Sequence, residues 1–257
     1  MGINGLLKGL QGYGRKSNIR EFSGQSVAVD ASSWLHKSVY SVSEKYVEAH
    51  EASRIDKSCV RTSQRYVADR CQELLVNARI NKVYLVFDGK RCPLKAKTNQ
   101  DREARRAKNL EEARQYKRQR RIDKAFDRYK ACIKISDAHG KAVADAVTQQ
   151  FASDGRVVCV FSPYEADAQL VKLCVDGHTN AIITEVRNNT TTRTKRPSME
   201  IVIVCVSDLQ CRSTVSCAFS HCAFAKLPST MCKPTGFGCV GLHRVLPDGC
   251  TDPVQAR

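Results

Sequence analysis

The chain has 257 residues, of which 42% are hydrophobic, and this length allows one large domain or two small ones. Its 42 Lys and Arg outnumber its 26 Asp and Glu, which gives a formal net charge of +16. The sequence has no apolar run that could span a membrane and no signal-peptide pattern, which argues against a membrane or secreted protein. The basic excess favours a polyanionic partner, most simply a nucleic acid, with a generically basic soluble protein as the alternative.

The first half of the chain follows a strand–helix–strand pattern. Residues 27–29 form a short apolar run that predicts a buried strand, and Asp30 stands at its carboxyl end. Apolar residues at helical spacing follow over residues 67–78. The strongest predicted strand, residues 83–87, also ends in an acid, Asp88. Two such strands joined through a helix indicate a parallel α/β sheet with an acid at each carboxyl end.

Residues 95–131 are strongly basic and contain few apolar side chains. Their helix propensity is high, and neither Pro nor Gly occurs in the segment after Pro93. The composition predicts helix that projects from the body of the protein instead of packing on it. The density of positive charge favours contact with phosphates. The alternatives are a solvated helical face and a nuclear-import patch at residues 117–121.

Residues 157–161 predict another buried strand, and the helix after it begins beside two further acids, Glu165 and Asp167. One interpretation is local, because Ser162 and Glu165 can form a capping box with Pro163 at the first helical position. The other is functional, because ligands of open α/β folds bind at the carboxyl edge of the sheet. The apolar face of this helix, which Gly177 ends, consists of Ala166, Leu170, Leu173 and Cys174.

Residues 180–185 predict one more buried strand, but the regular pattern stops at Glu185. Residues 201–206 are compatible with a strand. No element is predicted for the rest of residues 186–257, because their sequence shows no periodicity.

The acids that follow the predicted strands suggest a metal site. Hard divalent cations prefer oxygen ligands, and each carboxylate offsets part of the charge of the ion. If the three strands are neighbours, their carboxyl ends bring together Asp30, Asp88, Glu165 and Asp167.

Several motifs of the chain together resemble the flap-endonuclease/XPG family of structure-specific 5′ nucleases, and within it the 5′-to-3′ exonuclease branch. The resemblance covers roughly residues 1–185. It implies an α/β fold with a mostly parallel central sheet flanked by helices, the PIN-like 5′-nuclease core, with a protruding basic helical arch and an irregular C-terminal tail. The motifs are Met1-Gly2-Ile3 with Gly5-Leu6-Leu7, Val27-Ala28-Val29-Asp30, Trp34-Leu35-His36-Lys37, Leu85-Val86-Phe87-Asp88-Gly89, Pro163-Tyr164-Glu165-Ala166-Asp167-Ala168-Gln169-Leu170 and Ala181-Ile182-Ile183-Thr184-Glu185.

The resemblance also implies a division of the chain into four parts. Residues 1–98 form an N-terminal nuclease region and residues 99–135 form the basic helical arch. Residues 136–185 begin an internal nuclease region. Residues 186–257 are unmatched, and we expect them to be disordered or to derive from an error in the coding sequence, since Val186-Arg187 can be encoded by a splice-donor-like sequence.

What the family implies about the site applies only to the matching residues. Two Mg²⁺ ions would activate a water molecule and stabilise the leaving oxygen of a phosphodiester. The implied metal ligands are Asp30, Asp88, Glu165 and Asp167. Lys95 and Arg102 resemble the basic pair at the base of the arch that grips the scissile phosphate. The implied DNA contacts are Gly2, His36, Arg105 and Arg106.

The implied activity is that of a Mg²⁺-dependent 5′-to-3′ exonuclease or structure-specific 5′ flap endonuclease that acts in nuclear DNA repair. The implied partners are DNA with 5′ ends, nicks or flaps, and mismatch-repair proteins. The sequence departs from the family after Glu185, where Val186 and Arg187 replace the expected Asp-Ser-Asp-Leu and its two acids. This departure predicts weak or absent cleavage, and the alternative function is a non-catalytic, basic DNA-binding fragment.

Overall fold

The computed structural model describes residues 14–16, 18–90, 93–187, 199–205 and 242–245. The strands are β1 (Gly14–Lys16), β2 (Ser26–Asp30), β3 (Lys82–Phe87), β4 (Val157–Phe161), β5 (Ala181–Arg187), β6 (Met199–Cys205) and β7 (Leu242–Val245). The helices are α1 (Ala31–Ser38), α2 (Ser43–Glu51), α3 (Lys57–Gln72), α4 (Ala96–Arg118), α5 (Ile122–Cys132), α6 (Asp137–Gln150) and α7 (Ala166–Val175). Short 3₁₀ helices cover Ile19–Phe22 and Pro93–Lys95, and a π-helical turn covers Glu73–Asn77. None of the described helices is both long enough and apolar enough to cross a bilayer.

The strands form one sheet in the order β1-β7-β6-β5-β2-β3-β4. The four strands β5, β2, β3 and β4 are parallel, which confirms the mostly parallel core predicted from the sequence. Strand β6 lies where residues 201–206 allowed a strand, and it runs antiparallel to β5. Strands β1 and β7 were not predicted, and most of the tail lies outside the described residues.

Alternate residues of the central strands enter two separate cores, because successive side chains of a strand point to opposite faces. The larger core lies on the face covered by α1, α3 and α6, and it includes Val27, Val29, Leu85, Trp34, Val67 and Val143. The smaller core lies on the face covered by α7, and it includes Ala28, Val86, Ile182, Leu170 and Leu173. The predicted apolar face of α7 is therefore confirmed, and Gly177 follows the helix with a φ of +77°.

The basic segment is helical, as predicted, and it forms a hairpin of α4 and α5. The prediction that this segment does not pack on the body was wrong. Leu110 of α4 and Tyr129 of α5 belong to one buried cluster with Tyr46 and Val47 of α2. An ion pair between Lys117 and Glu44 adds a contact between α4 and α2. The few apolar residues of the hairpin pack against α2. Its cationic side chains therefore project from helices that are anchored to the body of the protein.

A buried polar network joins α1, α3 and α6. His139 of α6 is only 2% exposed, and its Nε2 atom lies 3.0 Å from the hydroxyl of Ser63 in α3. The Ser63 hydroxyl is 2.8 Å from that of Ser38 in α1. Burial lowers the pKa of His139 from 6.5 to about 4, since the charged imidazolium would lose its hydration. The folded protein therefore holds this histidine neutral under mildly acidic conditions.

We predict that the buried His139 lowers the free energy of unfolding as the pH falls from about 6.5 to about 4. In this window the unfolded chain binds a proton at His139 and the folded chain does not, so acid favours unfolding, by at most about 3 kcal/mol. Urea denaturation of the protein and of His139→Gln at several pH values measures the effect. Other groups titrate in the same range, so the contribution of His139 is the difference between variants. Acid should lower the free energy of unfolding more in the protein and in the control His178→Gln, which alters an exposed histidine, than in His139→Gln. Equal slopes in all three proteins would contradict the prediction.

Candidate active site

The four acids predicted from strand ends lie at one edge of the parallel sheet. Asp30 is the last residue of β2 and the N-cap of α1. Asp88 follows β3 directly, while Glu165 is the N-cap of α7 and Asp167 lies in its first turn. Because β2, β3 and β4 are adjacent and parallel, their carboxyl ends meet at the same edge.

Asp88 connects the three strand ends through its carboxylate. Its Oδ1 atom accepts a hydrogen bond of 2.8 Å from the N–H of Ala166, the first residue of α7. Its Oδ2 atom accepts a hydrogen bond of 2.6 Å from the hydroxyl of Ser32 in α1. The Asp88 side chain therefore holds the beginning of α1, which follows β2, and the beginning of α7, which follows β4.

The loops after β3 and β4 approach each other so closely that Gly89 has no room for a side chain. A Cβ atom at this position would overlap the carbonyl oxygen of Ser162. The Gly89 N–H donates to the carbonyl of Tyr164 at 2.6 Å, and the Lys90 N–H donates to that of Pro163 at 3.1 Å. The glycine after Asp88 thus allows the two acidic loops to contact each other through their backbones.

The capping box that the sequence allowed at Ser162 and Glu165 does not form. The Ser162 hydroxyl donates instead to the carbonyl of Tyr164 at 2.7 Å, and Pro163 lies before the helix. Glu165 is the N-cap but makes no side-chain capping bond. In a capping box Glu165 would accept from the Ser162 N–H, but that N–H donates to the carbonyl of Phe87 at 3.0 Å. The Glu165 carboxylate is therefore left for another partner.

That partner is Lys95, whose Nζ atom lies 2.6 Å from Oε2 of Glu165. Lys95 is the last residue of the 3₁₀ helix at the base of α4. The contact joins a residue predicted to act on the phosphate with one predicted to bind metal. Both side chains are about one-third exposed, so the pair is open to exchange with other ions.

The remaining two acids share an electrostatic environment that disfavours their charged forms. Burial, opposed by a hydrogen bond from the Ser32 N–H and reinforced by the charges of Asp88 and Asp167, raises the pKa of Asp30 from 3.8 to about 6. Burial also raises the pKa of Asp167, with the charges of Glu165 and Asp88 adding to the effect and Lys95 opposing it. Negative charge on Asp88 therefore disfavours ionisation of both Asp30 and Asp167, and Glu165 adds to the effect at Asp167.

The donor set fits a hard divalent cation, which would replace this repulsion with attraction. Within the described ranges, however, no three His, Cys, Asp or Glu side chains form a ready-made metal site. The Lys95 contact accounts for part of the difference, because it commits the carboxylate of Glu165 to a lysine at the base of α4.

A cleft of about 240 Å³ lies beside the acidic edge, between α4 and the beginnings of α1 and α6. Asp88 and Glu165 form part of its wall. Three residues predicted to act on DNA also line it, and these are His36, Arg102 and Arg106. Arg102 and Arg106 are four residues apart on α4 and so share one helix face.

Two predicted DNA contacts are not placed in this cleft. Arg105 is exposed and is not among the residues that line it, because a neighbouring position on a helix points about 100° away. Gly2 lies outside the described residues.

The structure adds cleft residues that the sequence did not single out. Lys134, in the connection between α5 and α6, contributes another cation and lies 2.7 Å from Glu103. Tyr164 is 54% exposed and Phe161 is 46% exposed, and both rings line the cleft. Tyr164 stands inside a motif quoted above, but no signal in the sequence marks Lys134, which the packing of the hairpin brings to the site.

The chain is an α/β protein whose four adjacent parallel strands have acids at their carboxyl edge and are flanked by helices on both faces. The sequence model of the XPG N-terminal domain matches residues 1–109. Exonuclease 1 of Danio rerio is 31% identical over 185 residues, which are 72% of this chain and 21% of that protein. Exodeoxyribonuclease 1 of Schizosaccharomyces pombe is 29% identical over 185 residues, 72% of this chain and 30% of that protein.

Solved structures with a similar arrangement include the catalytic core of Rad2 in complex with DNA substrate. It is 20% identical with a TM-score of 0.44, covering 72% of this chain and 45% of that one. Human GEN1 in complex with Holliday junction DNA is 16% identical with a TM-score of 0.39, covering 84% of this chain and 47% of that one. On its sequence matches, the chain is similar to nucleases of the flap-endonuclease/XPG family. It spans only 20–30% of the length of exonuclease 1 from fish, rice and fission yeast.

We predict that Asp30→Asn stabilises the metal-free protein at pH 7, by about 1–2 kcal/mol. The pKa of Asp30 is higher in the folded than in the unfolded chain, so its ionisation disfavours folding above pH 6. Asn keeps the oxygen that accepts from the Ser32 N–H and removes only the charge. Thermal unfolding in EDTA measures the effect.

Asp56→Asn is the matched control, because Asp56 is also an aspartate N-cap, at the start of α3. Hydrogen bonds from Ser58 and Cys59, together with Lys45, hold the pKa of Asp56 below its usual value. Removal of its charge should therefore destabilise the protein at pH 7. The same direction of change in both variants would show that the repulsion inferred at Asp30 is wrong.

Proposed function

We propose that this chain carries the N-terminal part of a Mg²⁺-dependent 5′ nuclease that hydrolyses DNA phosphodiesters. The observation that supports it best is the position of Asp88, which joins the acidic edge of the sheet to a cleft lined with cations. Its reaction class is 5′-to-3′ exonuclease or 5′ flap endonuclease cleavage, on DNA with 5′ ends, nicks or flaps. By family analogy, its setting is nuclear DNA repair with mismatch-repair proteins as partners.

The residues that would hold Mg²⁺ are Asp30, Asp88, Glu165 and Asp167. A bound divalent ion would lower the pKa of a water molecule and neutralise charge on the phosphate. Burial and the neighbouring carboxylates raise the pKa values of Asp30 and Asp167, and a divalent ion at this edge would offset the repulsion between the acids.

The cationic wall of the cleft would bind the phosphates of the strand that is cut. Arg102 and Arg106 project from one face of α4, and Lys134 extends the positive charge towards α6. Arg is well suited to this role because its guanidinium can donate two parallel hydrogen bonds to one phosphate. Lys95 would move from Glu165 to the scissile phosphate once a metal ion neutralises that carboxylate.

The exposed rings of Tyr164 and Phe161 give this cleft a surface for bases. Every base has a π face, so stacking on these rings is independent of sequence. His36 lines the cleft from α1, whereas the arginines line it from α4, and His36 would contact the DNA there. A site of this kind selects DNA by the shape and the end of the strand, and not by base identity.

The completeness of the metal site decides how active the chain is. Strand β5 continues through Val186 and Arg187 and pairs with β6, where the family resemblance places two further acids. Two-metal hydrolysis needs an ion for the attacking oxygen and one for the leaving oxygen. With four acids in place, we propose that the chain binds about one ion and cleaves slowly. The same absence supports the second candidate function, a basic DNA-binding fragment without catalysis.

We predict slow cleavage of a 5′-labelled duplex with a recessed end in Mg²⁺, reduced about 100-fold or more by Asp88→Ala. Loss of a residue that merely supports a metal ligand costs about 10–100-fold, and Asp88 is proposed as the ligand itself. Asp123→Ala, an exposed acid of α5, is the control and should cleave like the unaltered chain. Equal cleavage by all three would indicate a contaminating nuclease, and DNA binding without any cleavage would favour the second function.

We predict that DNA affinity falls steeply with salt and that the cleft arginines account for part of this dependence. Arg106→Gln should reduce the slope of log K against log salt by about 0.9 or less, the value for one phosphate contact on duplex DNA. Fluorescence anisotropy with labelled duplex at several salt concentrations gives the slope. Arg105→Gln removes the neighbouring charge outside the cleft and should change the slope less. A larger effect at Arg105 would mean that DNA binds along another face of α4.

A further inference from the structure

Ser32 makes two hydrogen bonds that link two of the proposed metal ligands. Its backbone N–H donates to Oδ1 of Asp30 at 2.9 Å. Its side-chain hydroxyl donates to Oδ2 of Asp88 at 2.6 Å, across a sequence separation of 56 residues. The residue lies in the first turn of α1 and lines the cleft.

We propose that Ser32 is a positioning residue of the metal site, which orients the Asp88 carboxylate towards the ion and ties it to Asp30. This inference rests on the proposed function, since it assigns a role in binding the divalent ion. Ser32 itself is not required to touch the metal or the DNA.

The geometry explains why Asp88 needs such a partner. A carboxylate with one hydrogen-bond donor can still rotate about its side-chain bond, whereas donors on both oxygens fix its plane. Ala166 supplies one donor from α7 and Ser32 supplies the other from α1. Each oxygen retains a second lone pair, so a carboxylate held in this way can still bind a cation.

A purely structural role for Ser32 would be to stabilise the beginning of helix α1. The neighbouring Ser33 has a role of that kind. The hydroxyl of Ser33 donates only to the backbone carbonyl of Asp30, at 3.4 Å. The bond from Ser32 is shorter and ends on a charged side chain from another strand. The two serines share one helix and one residue type, so Ser33 is a matched control.

The test measures Mn²⁺ binding to the full 257-residue chain in the absence of DNA, with electron paramagnetic resonance as the readout. Ser32→Ala should weaken Mn²⁺ binding by about 10-fold or more, as expected for loss of a hydrogen bond that orients a metal ligand. Ser33→Ala should stay within about twofold of the unaltered chain, and Ser32→Thr, which keeps the hydroxyl, should restore most of the affinity. Thermal unfolding in EDTA establishes that each variant is folded, and Ser32→Cys, a weak donor, replaces Ser32→Ala if the latter does not fold.

Unchanged Mn²⁺ affinity in Ser32→Ala would overturn the positioning role and leave the proposed function intact. Equal weakening by Ser32→Ala and Ser33→Ala would also overturn it, because the effect would then belong to the start of α1. A chain that binds no Mn²⁺ and cuts no DNA would overturn the proposed function first, and the inference with it. Weakening that is specific to Ser32→Ala and reversed by Ser32→Thr would support it.

Discussion

The hydrogen bonds to Asp88 are the interactions on which the rest of the site depends. A single carboxylate after β3 accepts from Ser32 in α1 and from Ala166 in α7. The two helices begin after β2 and β4, which flank β3, so these bonds join the acidic ends of all three strands. Gly89 makes the arrangement possible, because any side chain there would keep the loop after β4 away from Asp88.

The same arrangement concentrates negative charge that the fold alone does not neutralise. Asp30 and Asp167 lie where burial and neighbouring carboxylates raise their pKa values. Lys95 relieves part of the repulsion through Glu165. Such stored repulsion is typical of functional sites, since the energy that destabilises the empty site is recovered when a cation binds. Lys95 would thus have a role in two states of the site. Without a metal ion it neutralises Glu165, and with a metal ion it would face the phosphate.

The hairpin of α4 and α5 combines support and exposure on different faces of the same helices. Leu110 and Tyr129 anchor it against α2, while Arg102 and Arg106 face the cleft from the other end of α4. Because α4 begins directly after Lys95, its orientation is coupled to the Lys95–Glu165 ion pair. The cationic wall is thus held at a defined distance from the acidic edge, and Lys134 joins it where the chain leaves the hairpin.

The sequence by itself determined the parallel core, the acid at each strand end and the buried face of α7, because strand and helix periodicities and their end residues are local properties. It did not determine how α7 is capped, that the basic segment packs on α2, or that Arg106 and not Arg105 lines the cleft. Those features depend on contacts between distant residues, such as the 78 positions that separate Asp88 from Ala166. A local capping box and a carboxylate that follows another strand can each satisfy N–H groups at the beginning of a helix, and only the tertiary structure decides between them.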